Sequence, residues 1–310
     1  MTAFLISHED CLKHVMPDGH PECPERISAI SNQLVSTGLD FCLIHKEAVE
    51  ASRNHLQLVH SPQYLDRVEF YAPKEGEELV NFDEDIWLGP YTLRAAKLAA
   101  GAVVQGVDYV MRNETDTVFC NVRPPGHHAE HNRAMGFCLY NNAAVGAAYA
   151  LHHYRLKRVA IVDFDVHHGN GTQDIFLDEN RVLYFSSFQY PFYPNTEINP
   201  GKQNIVNAPL PATCESEQFR EVILQKCIPA LKEFAPELLI ISAGFDAHVL
   251  DDMSSICLMD NDYLWVSEQL REFVDSSEEC QGIVSVLEGG YDLGSLSRSA
   301  CAHIKALAKL

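Results

Sequence analysis

The sequence predicts an α/β fold, a single domain with a mostly parallel eight-stranded sheet and helices on both faces. Three observations predict it. Short apolar runs alternate with stretches of helical periodicity, several polar motifs directly follow an apolar run, and no linker rich in Pro, Ser or Gly divides the 310 residues. Strand–helix alternation is typical of parallel sheets covered on both faces. We therefore expect one domain over residues 1–310.

Eight apolar runs have the length and composition of buried strands. They lie near residues 3–7, 40–45, 117–121, 158–163, 181–186, 204–208, 237–242 and 282–287. Helical periodicity lies between most of them, at residues 24–37, 90–112, 139–155, 215–234, 260–275 and 294–309. The first helix is predicted to begin at Pro24, because proline fits the first helical turn, and Ile27, Ile30 and Leu34 follow at helical spacing.

Composition narrows the classes of function. The formal net charge is −20, so nucleic-acid phosphates and anionic membranes would repel the chain. The first residues lack a basic segment followed by an apolar core, and no run approaches the roughly 18 apolar residues of a membrane span. The ten cysteines include no C-x-x-C pair and are expected to be reduced. These features predict a cytoplasmic protein without direct nucleic-acid or membrane contacts.

The segment from Val159 to Gly171 places carboxylates and imidazoles directly behind an apolar strand. In an extended chain, Asp163, Asp165 and His167 project to one face. Burying two carboxylates without a cation would cost several kcal/mol for each charge, so we expect a positive partner there. An edge strand with solvated acids is the alternative. The apolar run before the acids and the Gly-Asn-Gly turn after them, which would open a helix, favour a metal site.

Polar groups follow three other predicted strands. Residues 123–128 (RPPGHH) form a rigid turn with adjacent histidines, Asp246 follows the run at 237–242, and Tyr291 follows the run at 282–287. Each of these motifs alone is more often structural than functional. In parallel sheets, however, ligand sites lie beyond the carboxyl ends of the strands. Their shared position therefore predicts that these groups belong to one site.

Four ordered blocks resemble the signature blocks of zinc-dependent histone deacetylases. They are residues 123–128 (RPPGHH), 163–172 (DFDVHHGNGT), 242–248 (SAGFDAH) and 287–291 (LEGGY). Residues 20–26 (HPECPER) and 136–142 (GFCLYNN) extend the resemblance over nearly the whole chain. The LEGGY form and Asn170 resemble the class II branch and its bacterial relatives, which include acetylpolyamine amidohydrolases. The resemblance implies an arginase/deacetylase-like fold and hydrolysis of acylated amines.

The resemblance also implies catalytic roles. Asp165, His167 and Asp246 would bind one catalytic Zn²⁺, leaving an open position for water and substrate. His128 would act as the general base, and His127 would be its electrostatic partner.

Three further roles follow from the same resemblance. Asp163 would hold His127, Asn170 would orient His128, and Tyr291 would donate its hydroxyl to the tetrahedral oxyanion. A structural K⁺ site beside the zinc is implied as well. Its candidate ligands are the carbonyls of Asp163, Asp165, His167 and Ser187 with side-chain oxygens of Asp163 and Ser186.

A narrow apolar channel would hold the acyl-lysine stem. Its predicted lining residues are Gly136, Phe137, Phe192, Tyr193 and Met253. Phe188 stands where relatives often have histidine, and residues 251–254 (DDMS) stand where they commonly have Asp-Pro-Leu-Gly. Met253 replaces the glutamate of a polyamine-selective relative, which favours protein lysine over polyamines.

Acidic residues concentrate in residues 74–85, which we predict to be a loop. Such a segment is either a solvated face or the rim of a site that attracts cationic substrates, and the sequence leaves both open. Asp83 or Asp85 could hold the substrate backbone or its cation. The choice between the two acids stays open, because one sequence does not fix the register of the loop.

Three functions fit the motifs. The first is a zinc-dependent lysine deacetylase or deacylase acting on an acyl-lysine protein or peptide, and the second is an amidohydrolase of acetylpolyamine or another small acetylated amine. The third is a non-catalytic acyl-lysine binding module. A dinuclear ureohydrolase of the arginase type is disfavoured, because Asn170 stands where a further acid would help hold a second metal.

Overall fold

The computed structural model describes residues 2–196 and 198–310 and contains an eight-stranded, wholly parallel sheet. The strands of the sheet are β1 (Phe4–Ser7), β2 (Ile44–Glu47), β5 (Thr117–Cys120), β6 (Val159–Asp163), β7 (Val182–Gln189), β8 (Ile205–Leu210), β9 (Leu238–Ala243) and β10 (Ile283–Leu287). Their order is β2-β1-β5-β10-β9-β6-β7-β8, and each neighbouring pair is parallel. The predicted fold class is confirmed.

Seven of the eight predicted strands overlap the observed ones closely, and the second is displaced along the chain. Residues Leu39–Cys42 form a short 3₁₀ helix, and β2 begins only at Ile44. The strand is an exposed edge made of Ile-His-Lys-Glu, whereas the apolar pattern lies in the turn before it. Hydrophobicity therefore indicated a position too early in the chain.

The helices cover both faces of the sheet. They are α1 (Glu25–Thr37), α2 (Arg53–Leu56), α3 (Pro62–Tyr71), α4 (Thr92–Met111), α5 (Asn142–His153), α6 (Asn170–Phe176), α7 (Ser216–Val222), α8 (Ile228–Phe234), α9 (Asp260–Ser276) and α10 (Leu293–Leu307). A π-helical turn at Ile223–Cys227 separates α7 from α8 in the segment predicted as one helix. The sequence-based assignment missed α2 and α3.

A small antiparallel hairpin, β3 (Val80–Asp83) and β4 (Ile86–Leu88), occupies part of the acidic segment that was predicted to be a loop. Only the segment before the hairpin and its turn are irregular. The hairpin places the Glu84-Asp85 turn at a fixed point.

Two hydrophobic cores lie on opposite faces of the sheet, as alternation along β6 shows. Val159 and Ile161 belong to one core, and Ala160 and Val162 belong to the other. The first core includes residues of α4 and α5, and the second includes residues of α1, α9 and α10. Because all eight strands are parallel, the polar residues that follow them meet at one edge of the sheet.

Neighbouring strands end at matching positions along that edge. Asp163, the last residue of β6, pairs with Ser242 of β9, and Ala243 of β9 pairs with Leu287 of β10.

Within the described residues, none of the helices is long and apolar enough to span a membrane.

Candidate active site

The three predicted metal ligands lie together beyond the ends of β6 and β9. One ligand atom from each of Asp165, His167 and Asp246 can be chosen so that all lie within 4.8 Å of one another. His167 Nδ1 is 3.1 Å from Asp165 Oδ1 and 3.1 Å from Asp246 Oδ2. All three residues are buried. Two carboxylates and one imidazole suit Zn²⁺ and leave room for a fourth ligand.

Backbone N–H groups fix both carboxylates of this trio. Val166 donates to Asp246 Oδ1 at 2.9 Å, His167 donates to Asp165 Oδ1 at 2.9 Å, and Gly289 donates to Asp165 Oδ2 at 2.7 Å. A Cβ at position 289 would lie 2.1 Å from Asp246 Oδ2, so glycine is required for this close approach. The end of β10 therefore shapes the ligand cluster.

The electrostatics of the trio favour a cation. Burial and the neighbouring Asp165 carboxylate raise the pKa of Asp246 to about 6. Burial alone would lower the pKa of His167, but its bonds to Asp165 and Asp246 raise it to about 10. The raised pKa of His167 reflects the negative charge of the two carboxylates beside it, a charge that a bound cation would also offset.

The adjacent histidines have different partners. His127 Nδ1 is 3.0 Å from Asp163 Oδ2, and His128 Nδ1 is 2.7 Å from Asn170 Oδ1. Burial lowers the pKa of both rings, but the carboxylates of Asp165 and Asp163 raise the pKa of His127 well above its ordinary value. The pKa of His128 stays well below its ordinary value, because burial is reinforced by His127 and His167. Of the two rings, His128 is therefore the one whose surroundings favour the neutral form, which is the form that can accept a proton.

Asp163 holds more than the histidine. Its Oδ2 also accepts a hydrogen bond from the Tyr184 hydroxyl at 2.9 Å, and its Oδ1 accepts from the backbone N–H of Asp165 at 3.1 Å. Asp163 thus joins His127 to the segment after β6 that carries two of the proposed ligands.

A cavity of about 320 Å³ opens above the trio. Its lining residues are Asp85, His128, Gly136, Phe137, His167, Phe192, Tyr193, Asp252, Met253 and Tyr291. All five residues predicted to line a substrate channel are among them. The ring of Phe192 is stacked on His167 with centroids 5.6 Å apart, and Phe137 lies 5.9 Å from Tyr291. Gly136 has φ +55°, and a Cβ there would lie 2.2 Å from the His128 ring.

Two acids border this cavity. Asp85, in the turn of the β3–β4 hairpin, lines it, and Asp83 does not. The Tyr193 hydroxyl donates a hydrogen bond to Asp85 Oδ2 at 3.2 Å. Asp252, to which the sequence patterns gave no channel role, is an exposed lining residue next to Met253.

Tyr291 is held by its backbone and by its ring. Its N–H donates to Asp251 Oδ2 at 2.6 Å, and the Arg26 guanidinium carbon lies 4.9 Å from the ring centroid. Burial raises the pKa of the Tyr291 hydroxyl well above its ordinary value. The hydroxyl therefore keeps its proton at neutral pH and can donate it in a hydrogen bond.

Four buried charged residues support the site but received no role from the sequence patterns. Arg123 binds the Glu22 carboxylate at 2.7 and 2.6 Å, and Arg26 binds Glu22 at 3.2 Å. Arg26 also donates to the carbonyl of Gly290 at 2.6 Å, next to Tyr291. The fourth residue, Glu288, accepts backbone hydrogen bonds from the tandem-histidine turn. The sequence signal that could have identified these residues was the presence of a charged residue within the motif blocks at 20–26, 123–128 and 287–291.

The parallel sheet, with an acid–histidine cluster beyond its strand ends, has the features of a metal-dependent α/β hydrolase. The chain belongs to the histone deacetylase family, because residues 20–307 match the model of the histone deacetylase domain. This finding confirms the resemblance inferred from the motif blocks.

Individual relatives agree with this assignment. The chain is 37% identical to Histone deacetylase 5 of Arabidopsis thaliana, over 98% of this chain and 48% of that protein. It is 35% identical to Polyamine deacetylase HDAC10 of Mus musculus, over 99% of this chain and 48% of that protein. The chain thus spans about half the length of these relatives. The crystal structure of the HDA15 HD domain matches with a TM-score of 0.91 and 34% identity, over 99% of this chain and 90% of that one.

Proposed function

We propose that the protein is a zinc-dependent deacylase that hydrolyses the side-chain amide of acylated lysine in a protein or peptide, releasing a carboxylate and the free amine. The observation that carries this proposal is the content of a single cavity. His167 of the buried trio lines it, together with His128, whose pKa is lowered, and Tyr291, whose pKa is raised. These are the groups that amide hydrolysis requires.

Asp165, His167 and Asp246 are the proposed zinc ligands. Their donor set of two oxygens and one nitrogen fits the metal, and the raised pKa of His167 indicates that a cation is favoured there. When bound, zinc would supply a Lewis acid that polarises the scissile carbonyl and lowers the pKa of water.

The protein side chains would carry the proton transfers. His128 takes a proton from the attacking water and returns it to the departing amine, since its pKa is lowered and Asn170 orients its ring. His127, whose pKa is raised beside Asp163, stays positively charged and stabilises the developing negative charge. Tyr291 donates its hydroxyl to the oxyanion.

The cavity fits an acyl-lysine stem. Phe137, Phe192 and Met253 supply apolar surface for methylene groups, and Tyr193 lies beside them. Asp85 lies at the rim, where its carboxylate could accept hydrogen bonds from a substrate backbone.

Hydrolysis of a small acetylated amine is the second candidate. Asp85 and Asp252 both line the cavity and would attract a cationic substrate, and one relative is a polyamine deacetylase. Met253 argues against it, because the apolar side chain gives an ammonium group no partner.

We also propose a structural K⁺ beside the zinc site. Its ligands would be the carbonyls of Asp163, Asp165, His167 and Ser187 with side-chain oxygens of Asp163 and Ser186. Oxygen donors of this kind suit a hard cation. The Ser186 hydroxyl, one of the proposed ligands, is buried without a hydrogen bond, which indicates a local need for a polar partner.

Two further proposals concern the whole chain. We propose a single domain over residues 1–310, since one sheet carries both cores and one family model spans residues 20–307. We propose a cytoplasmic location, since all ten cysteines are free and most are buried, as expected in a reducing compartment.

The test compares catalytic efficiencies of the zinc-loaded protein. Acetyl-lysine peptide and acetylputrescine are assayed in parallel, with and without a zinc chelator, and the peptide is then offered with acyl groups of increasing length. We expect chelator-sensitive hydrolysis with higher kcat/KM on the peptide. Higher kcat/KM on acetylputrescine would support the second candidate, and no hydrolysis of any amide by zinc-loaded protein would contradict both.

A further inference from the structure

Glu288 connects the ends of three strands. The residue is fully buried just beyond β10. Its Oε2 atom accepts hydrogen bonds from the backbone N–H groups of Gly126 at 2.7 Å and His127 at 3.1 Å. Its Oε1 atom accepts from the hydroxyl of Ser242, in β9, at 3.1 Å. One carboxylate therefore joins the turn after β5 to the ends of β9 and β10.

The turn that carries the histidines cannot be held by the sheet itself. The last residue pair between β5 and β10 is Cys120 with Val286, and residues 121–128 lie beyond it. On its opposite side, the turn contacts the start of α5, where Asn142 Nδ2 donates to the Pro124 carbonyl at 3.1 Å. The N–H of Thr172 also donates to the His127 carbonyl at 3.2 Å, and Glu288 binds the N–H groups of Gly126 and His127, which strand pairing does not satisfy.

The same short segment sets three parts of the site. Glu288 holds the histidine turn, the N–H of Gly289 holds the Asp165 carboxylate at 2.7 Å, and Tyr291 follows two residues later. The backbone carbonyl of Glu288 also accepts a hydrogen bond from Arg26. A shift of this segment would change the distance between the proposed base and the proposed metal ligands.

We propose that Glu288 is a positioning residue for the tandem histidines, acting through the reach of its two hydrogen bonds to the backbone of Gly126 and His127. The inference rests on the proposed hydrolysis, because it assigns His128 a precise position relative to the reacting amide. A role for the negative charge of Glu288 is the alternative, since the carboxylate also favours a proton on His127.

Two substitutions separate the effect of the side-chain length of Glu288 from the effect of its negative charge. Glu288→Gln removes the charge but keeps the length, so its amide oxygen can accept both backbone bonds while its NH₂ group faces the Ser242 oxygen. Glu288→Asp keeps the charge but shortens the side chain by one methylene. Ser242→Ala is the matched control, because it removes the third hydrogen bond of Glu288 and leaves both backbone bonds.

The assays measure kcat, KM, zinc content and thermal unfolding for each variant. We expect Glu288→Gln and Ser242→Ala to keep kcat close to wild type. We expect Glu288→Asp to lose about 10²-fold in kcat with unchanged KM and zinc content, because displacements of about 1 Å can have effects of that size. A kcat that is retained in Glu288→Gln but lost in Glu288→Asp is a result that a general structural role would not produce.

Three results would overturn the proposal. They are a reversed order of the two variants, equal losses in both, or loss of zinc in Glu288→Asp together with its activity. If Glu288→Asp does not fold, Glu288→Gln alone tests the proposal, and a large loss of kcat in Glu288→Gln would contradict it. If the wild-type protein hydrolyses no amide, the proposed function fails. The positioning role would still be supported if the backbone amides of Gly126 and His127 exchange hydrogen faster in Glu288→Asp than in Glu288→Gln.

Discussion

The floor and the mouth of the cavity differ in how firmly their side chains are held. The floor is a buried cluster: His128 and His167 line the cavity, and His127, Asp165 and Asp246 contact them from below. Each of these side chains makes a hydrogen bond of 3.1 Å or less to a backbone N–H group or to a neighbouring side chain. Such fixed groups suit a reaction that depends on exact placement.

The mouth consists of Asp85, Phe192, Tyr193, Asp252 and Met253, which are at least partly exposed. Apolar contact dominates it, with two acids at the rim and a hydrogen bond from Tyr193 to Asp85. Under the proposed hydrolysis, we expect the floor to set the rate for any acyl amine and the mouth to set which amine enters. Variants in the two regions should therefore fail in different ways.

The largest expected effect is at the floor, in Asp246→Ala. The substitution removes one of three proposed ligands and leaves Asp165 and His167 without their third partner. We expect zinc content to fall well below one ion per chain and hydrolysis of every substrate to fall to background. Elemental analysis of dialysed protein measures the first effect.

Asp163→Asn is the matched control for zinc content. Asp163 holds His127 and is not in the proposed ligand trio, so this variant should keep zinc while its activity falls. Full zinc occupancy in Asp246→Ala would remove Asp246 from the ligand set.

Tyr291→Phe should have the next largest effect. Tyr291 lines the cavity and its raised pKa keeps the hydroxyl protonated, so loss of that hydroxyl removes the proposed donor to the oxyanion. We expect kcat to fall by about 10²–10³-fold with zinc retained, on both acetyl-lysine peptide and acetylputrescine.

Tyr140→Phe is the control for that variant. Tyr140 is buried and its hydroxyl makes no hydrogen bond, so removing it should leave turnover unchanged. Near-wild-type turnover by Tyr291→Phe would exclude the tyrosine as the oxyanion donor.

The floor could be predicted from sequence because its residues directly follow apolar strands. Local hydrophobicity located seven of the eight strands, and the carboxyl ends of parallel strands share one edge. Asp165, Asp246 and Tyr291 could thus be assigned to one site before their distances were known. Their individual roles still came from the family resemblance and stay predictions.

The mouth and the supporting residues could not be predicted in the same way. The β3–β4 hairpin forms from short segments with partly exposed residues, so no periodic pattern marked it or showed that Asp85 faces the cavity. Glu288 reaches the backbone of Gly126, and Arg26 reaches that of Gly290, across more than 150 residues of sequence. Local patterns report burial, but they do not report which buried groups meet.

The difference between the two histidines predicts a shift in pH dependence. Asn170→Asp would place a carboxylate where the amide oxygen now lies 2.7 Å from His128 Nδ1. A negative charge favours the protonated ring, so the pKa of His128 should rise from its lowered value. Since the base must be unprotonated, the acidic limb of the kcat/KM profile should move to higher pH, by about one unit or more.

The control for that profile adds the same charge away from the ring. Asn195→Asp lies in the exposed segment after Tyr193 and should leave the acidic limb in place. An unshifted limb in Asn170→Asp, with activity retained, would show that His128 is not the titrating base.

The smallest expected effect is at the mouth, in Met253→Glu. The substitution adds a third carboxylate beside Asp252 and Asp85, where a cationic amine would enter, and leaves the floor unchanged. A partly exposed ion pair stabilises by about 1 kcal/mol, so we expect kcat/KM for acetylputrescine relative to acetyl-lysine peptide to rise about fivefold. Met253→Leu keeps an apolar side chain of similar volume and should leave the ratio unchanged. An equal loss on both substrates in Met253→Glu would mean that the mouth acts on the rate rather than on selection, and the distinction between the two regions would fail.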